Sequence, residues 1–223
     1  MLVLRRKSGQ GGFVGPTRAQ GRHAGLTRQQ VLHAAVQMVD RDGAAALSMR
    51  KLARELDVEA MTLYHHVKNK QGLEDAIVQY VMDEAFTGAE TDAPWRTVLE
   101  GYGRAFHRGL LAHPGAVPFF ASRPAITPGN VVHLEKMLRV LRDAGFAPQD
   151  ALLVIQTLAA VVLGQHSAPP ADDGDPGIDT EALAEFPLFV EAMGSGAPSV
   201  ESRVEFALQA FIAGLKEPSG AAI

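Results

Sequence analysis

The stretch from Leu47 to Lys70, LSMRKLARELDVEAMTLYHHVKNK, constrains this chain more than any other. It reads as two short helices separated by a tight turn, the layout that places one helix in the major groove of DNA. Ser48 is a good N-cap for the first helix, and Leu52 and Leu56, four apart, share a face. Asp57 falls where the chain must reverse, a position that needs a residue tolerant of left-handed geometry. A second helix from about Ala60 to Val67 is expected to bury Leu63 and Val67. Thr62, Tyr64, His65 and His66 then face elsewhere, with Lys68 and Lys70 just beyond them. Polar and aromatic tips ringed by cations suit a surface read against a duplex. Tyr64 has a second reading, as packing beneath the reading helix.

Charge supports the DNA reading through its distribution. The net charge is −4, but residues 1–70 carry 12 Lys+Arg against 5 Asp+Glu, and residues 71–223 carry 9 against 20. A basic first third joined to an acidic remainder confines polyanion binding to one module. The absence of cysteine excludes disulfides and thiolate metal sites and fits a reducing compartment. No run reads as long and apolar enough to span a bilayer, and MLVLRRKSGQGG lacks the apolar core of a signal peptide. The expectation is a cytoplasmic protein with no membrane partner.

Helical periodicity runs through the rest of the chain. Residues 1–26 form a Gly-rich basic arm with Arg5, Arg6, Lys7, Arg18 and Arg22, expected to be flexible. It is either a minor-groove or phosphate-tracking arm or an inert leader. A first helix is expected from Thr27 to Gly43, presenting Val31, Ala34, Ala35, Met38 and Val39. A long helix from Asn69 carries Leu73, Ile77, Tyr80, Val81 and Ala85. The next, past Pro94, places Trp95, Val98, Leu99, Tyr102, Phe106 and Leu110 at i, i+3, i+4, i+7 spacing. The segment His113 to Gly129 reads as Pro-rich and broken, and helix resumes from about Asn130 to Ala144. From Pro148 a helix is apolar on nearly every side, so it must be covered all round. Residues 165–180 read as a mobile loop, residues 181–193 as a short helix, and residues 200–216 as a striped helix. No strand and no repeat are expected. The fold class is all-α.

The segment from Leu26 to Glu84 resembles the DNA-binding domain of the tetracycline-repressor (TetR) family. It gathers a capped first helix, SMRKLA, the turn, TLYHHV and NK in that family's order and spacing. The resemblance continues more weakly through SRP (Ser122 to Pro124), RDAGF (Arg142 to Phe146) and FALQAFIAGL (Phe206 to Leu215), similar to the C-terminal domain of tetracycline repressors. It implies an N-terminal three-helix helix-turn-helix domain over 27–70, and a helical ligand-binding and dimerisation domain over 71–223.

The resemblance also implies DNA contacts residue by residue. Ser48 and Met49 open the first helix of the motif, and Arg50 reaches a base edge or phosphate. Glu59, Ala60, Met61 and Thr62 lie at the start of the reading helix; Tyr64, His65, His66 and Lys70 contact the backbone. The side-chain chemistry fits most of this, because Arg can bond guanine bidentately and Lys neutralises phosphate. Ala60 and Met61 can only touch methyl groups or fill space.

Tetracycline repressors hold magnesium-bound drug through a His ahead of a Thr-Arg-Pro triplet. Here the triplet is Ser122-Arg123-Pro124, and Phe119 stands in the ligating His position. A phenyl ring cannot ligate a metal, so no metal and no cofactor is expected. Phe86, Tyr102, Phe106 and Met137 occupy other drug-contact positions. With Phe119, Ser122 and Arg123 they form the expected ligand site, unless the rings merely fill a core. The adjacent His65 and His66 point about 100° apart on a helix and make no metal pair. No nucleophile motif, phosphate loop or paired carboxylates suggest an enzyme.

These expectations combine into a homodimeric regulator bound to a palindromic double-stranded DNA operator. It would be released by a hydrophobic or aromatic small-molecule effector, with helices about 149–163 and 200–216 forming the dimer interface. The alternative is a helical small-molecule binding or sequestering protein that meets nucleic acid non-specifically.

Overall fold

The computed structural model describes residues 25–122, 129–167, 185–194 and 198–217. Among the described residues there are ten α-helices and no strand, as the all-α expectation required. The Gly-rich arm through residue 24 and Arg123 lie outside the described residues.

Helix α1 (Arg28–Asp42) starts at Thr27, which accepts from the backbone of Gln30 while Gln30 reaches back to the Thr27 amide. This reciprocal cap satisfies two donors that an open helix end would leave unpaired. Gly43 ends the helix at φ 82, and a 3-10 turn leads on to α2 (Met49–Glu55). Asp57 adopts φ 54, the one positive φ among the described non-glycine residues, and makes the expected reversal. The following helix α3 (Ala60–Tyr64) is shorter than the sequence suggests. The amides of His66 and Val67 both bond the Leu63 carbonyl, so residues 65–67 close as a turn while Leu63 and Val67 stay buried.

Helix α4 (Lys70–Ala85), capped by Asn69, packs against both α1 and α5 (Trp95–Ala112). The Pro-rich segment expected to be broken instead holds a 3-10 turn, Pro114–Ala116, and a six-residue helix α6 (Val117–Ser122). Pro118 falls in the first turn of α6, where a missing amide costs no helical hydrogen bond. Helix α7 (Val131–Asp143) buries Leu134, Met137 and Leu141.

Helix α8 (Pro148–Ser167) extends three residues into the stretch expected to be loop. By length and composition it could cross a bilayer, which the sequence reading did not anticipate. It packs instead against α5, α7 and α10 (Val200–Gly214), with Ala151, Ile155, Leu158 and Val162 in the shared core. Its other faces include Leu153, which is 63% exposed. The last two helices are α9 (Pro187–Gly194) and α10. One continuous apolar core runs from Val31 in α1 to Ile212 in α10, with no seam between the ends of the molecule.

Candidate DNA-reading head and effector cavity

The DNA-reading surface is built by one cap and one turn. Ser48 Oγ accepts from the Lys51 amide at 3.2 Å, and the Val58 amide bonds the Ala53 carbonyl at 2.9 Å across the Asp57 reversal. Leu47, Leu52 and Leu63 are fully buried beneath it. Met49 also lies in that core, so its part in the surface is to seat α2. Met61 is 67% exposed and Tyr64 43% exposed, which takes Tyr64 out of the core and onto the surface. Glu59, His65 and Lys70 are exposed; Ala60, Thr62 and His66 are half-buried.

Which cations remain free for a polyanion follows from the ion pairs. Arg41 bridges Glu55 at 3.0 Å, and Lys51 bridges Asp42 at 2.8 Å, so both are spent inside the head. Hydrogen bonds from Arg41 and then Lys51 hold the Asp42 carboxyl at about 2. Lys70 lies 3.7 Å from Glu74. Among the described residues no ion pair engages Arg50, Arg54 or Lys68, and Arg50 and Arg54 flank an open groove with Glu59.

At the other end of α4 the rings of Phe86 and Tyr102 stack, centroids 4.2 Å apart and 6° from parallel. They wall a cavity of about 340 Å³ between the end of α4, the loop after it, α5 and α7. That size lies in the range of small-molecule sites. Met137, Val98 and Ala105 extend the apolar wall, while Thr87, Thr91 and Thr97 supply hydroxyls. Burial raises the Tyr102 phenol above its ordinary pKa, so it stays a neutral O–H donor. His133, also on the wall, lies 2.7 Å from Asp83 of α4 and packs its ring on Phe86.

The sequence-derived ligand set therefore divides. Phe86, Tyr102 and Met137 meet at the cavity. Phe106 and Phe119 are buried but off it; Phe106 packs edge-on against Phe120 at 5.4 Å. Ser122 is also off the cavity, its Oγ 3.4 Å from the Phe119 carbonyl. Sequence reasoning missed His133, Lys136, Arg104 and Arg108. The signal was present in α5, where Gly101, Arg104, Ala105 and Arg108 form an i, i+3, i+4, i+7 stripe beside the apolar one. Among the described residues no three His, Asp or Glu side chains converge as metal ligands.

A helix-turn-helix head joined by one helix to a cavity-bearing helical body defines a regulator that reads DNA and a small molecule in one chain. Residues 31–77 match the family model for bacterial regulatory proteins of the tetR family. Residues 87–218 match the tetracyclin repressor-like C-terminal domain. The class E tetracycline repressor of Escherichia coli is 31% identical over 198 residues, 86% of this chain and 91% of that protein. An HTH-type transcriptional regulator of Saccharopolyspora erythraea is 34% identical over 143 residues, covering 64% of this chain and 61% of that relative. The crystal structure of ActR from Streptomyces coelicolor in complex with actinorhodin superposes with a TM-score of 0.69 at 26% identity, over 85% of this chain and 96% of that one. TetR from Acinetobacter baumannii superposes at 0.67 and 28% identity, over 85% and 96%. The chain belongs to the TetR family and is a DNA-binding transcriptional regulator. Its relatives are regulators and not enzymes, and the sequestering alternative is not favoured.

Proposed function

We propose that this chain is a cytoplasmic, homodimeric repressor that leaves a palindromic operator when an aromatic small molecule, bound without a metal, occupies the cavity beneath Phe86 and Tyr102. The observation that carries this reading is the continuity of α4. Asn69 caps it beside the reading helix, and its far end delivers Phe86 to the cavity wall and Asp83 to His133. A ligand that shifts this end moves a rigid element whose other end holds the head. Effector and operator affinities are then linked reciprocally.

In this reading residues 27–70 bind DNA. Arg50, Thr62 and Met61 face bases, with Ser48, Met49, Glu59 and Ala60 placing them. Tyr64, His65, His66 and Lys70 meet the backbone. Residues 71–223 bind the effector and the second subunit. The names of the tetracycline repressor relatives and the actinorhodin complex of ActR support this division of labour. Dimerisation through α8 and α10 is supported by their uncovered apolar side chains, Leu153 at 63% and Phe206 at 75% exposure.

Oligonucleotide selection with the purified protein, followed by footprinting, tests the reading. The expected outcome is a palindrome with half-sites about one helical turn or more apart. Recovery of no preferred sequence would sink it.

A further inference from the structure

The cavity is not apolar throughout. Besides the Phe86–Tyr102 stack it is lined by three cations, Arg104, Arg108 and Lys136, and by one carboxylate, Glu90. Arg104 is already neutralised. Its guanidinium holds Glu205 at 2.7 Å and Glu100 at 3.2 Å, which draws the Glu205 carboxyl down to about 2. Arg108 and Lys136 carry no ion pair among the described residues, although both are on the cavity lining. They project from two different helices, α5 and α7, to the same rim. The cavity therefore presents a flat aromatic wall, a neutral phenol donor and two exposed cations outside any ion pair among the described residues, with Glu90 on the same lining and Glu201 and Glu205 beside Arg108 in the adjoining groove.

We infer that the effector is a planar aromatic anion, a carboxylate or acidic phenol, whose rings lie along Phe86 and Tyr102 while its charge meets Arg108 and Lys136. This rests on the reading that the cavity is the effector site, and it adds the charge of the ligand. A neutral greasy molecule would satisfy the stack but make no use of the two exposed cations at its edge. An anion gains charge-assisted hydrogen bonds from them, the stronger class. The volume of about 340 Å³ suits two or three fused rings.

The test pairs each acid with its own neutral form. Naphthalene-2-carboxylate and anthracene-2-carboxylate are titrated into the full-length protein by calorimetry, beside their methyl esters, at 0.05 and 0.5 M salt. Each acid should bind about tenfold more tightly than its ester, and high salt should erase most of that preference. Arg108→Gln and Lys136→Met should each remove most of the preference while leaving the weaker ester binding in place. Arg139→Gln, on α7 but paired with Glu135 away from the cavity, should retain it. Esters binding as well as acids, or no acid binding at millimolar concentration, would overturn the inference. Operator binding by the unliganded protein is measured separately, so failure of the regulator reading shows there, whatever the acids do.

Discussion

His113 Nδ1 lies 2.8 Å from Asp40 Oδ2, so the foot of α5 is tied to the last turn of α1. A carboxylate only accepts, so the ring nitrogen facing it carries the proton. The other Asp40 oxygen accepts from the Gly115 amide at 3.1 Å. One carboxylate thus clamps the head to the segment leading into α6. Asp40→Ala leaves both donors without a partner in a half-buried site, which should cost about 1–3 kcal/mol. Thermal denaturation reads the loss, and operator affinity should fall with it. Gly115→Ala is expected to be worse, because its Cβ would be driven into the Val39 carbonyl, which is backbone and cannot step aside.

Arg50 and Lys70 should separate base reading from charge. Arg50→Ala is expected to cost about 1–3 kcal/mol at the selected operator and to relax its base preference. Lys70→Ala should weaken all sequences alike and lower the salt slope by about 1. Titration of specific and scrambled duplexes at several salt concentrations distinguishes the two. Unchanged specific binding by Arg50→Ala would show that α2 does not face the bases.

Phe106 and Phe86 should behave as different kinds of aromatic. Phe106 is buried against Phe120 and off the cavity, so Phe106→Ala should destabilise the protein by about 3–5 kcal/mol. Phe86→Leu keeps much of the buried volume but removes the stack on Tyr102, so the effector response should suffer more than stability. Denaturant melts and ligand titrations of the two variants test the contrast. A response lost in Phe106→Ala at unchanged stability would place the effector elsewhere.

Phe206 and Leu153 lie exposed on α10 and α8. Phe206→Glu or Leu153→Glu should leave the monomer fold intact, because neither belongs to its core. Each should abolish dimers and, with them, tight operator binding. An obligate interface of this kind is expected to bury on the order of 2,000 Å² or more. Sedimentation at micromolar concentration gives the answer: a monomeric parent protein would refute the α8–α10 interface.

Stability should decline on mild acidification through two histidines. His107 Nδ1 and His166 Nε2 are 2.8 Å apart between α5 and α8, a hydrogen bond that cannot survive if both rings are protonated. Arg108 and Arg203 face the pair with the same sign, and Glu201 and Glu205 of α10 oppose them. Desolvation lowers both rings, and His107 and Arg203 add to the effect on His166, which falls to about 4. An unfolded His titrates near 6.5, so the unfolded chain takes up protons that the folded one refuses. The contribution is complete above about pH 6.5 and is lost as pH falls toward 4. Urea melts between pH 7.5 and 5 should show this slope, and His166→Gln should flatten it. The Asp42 and Glu205 carboxyls, both near 2, are lost only at lower pH.

The head was the most legible part because its signals are local. The Thr27 and Ser48 caps, the Gly43 stop and the Asp57 reversal each act within a few residues, and all stand as the sequence suggested. Helix α3 ended early because the turn at Leu63 competes with further helix, and two residue types in sequence do not decide that contest. The cavity was half legible. Phe86, Tyr102 and Met137 lay on predictable helix faces, but whether Phe106 or Arg108 turns toward the space depends on how α5 is rotated against α7 and α10. That rotation is set by packing between residues distant in sequence, as at Gly103 beneath Leu208. The Asp40–His113 and His107–His166 pairs span 73 and 59 residues and left no local trace.

Helix α4 has consequences for anyone who would recombine this regulator. A cut at residue 70 looks natural on the page, yet it would fall at the first turn of a rod whose Leu73, Ile77 and Val81 are wedged into both ends of the molecule. A chimera that keeps this head on a foreign body must import the whole rod together with the Asp40 clamp. Otherwise the graft will lose operator affinity along with its effector response.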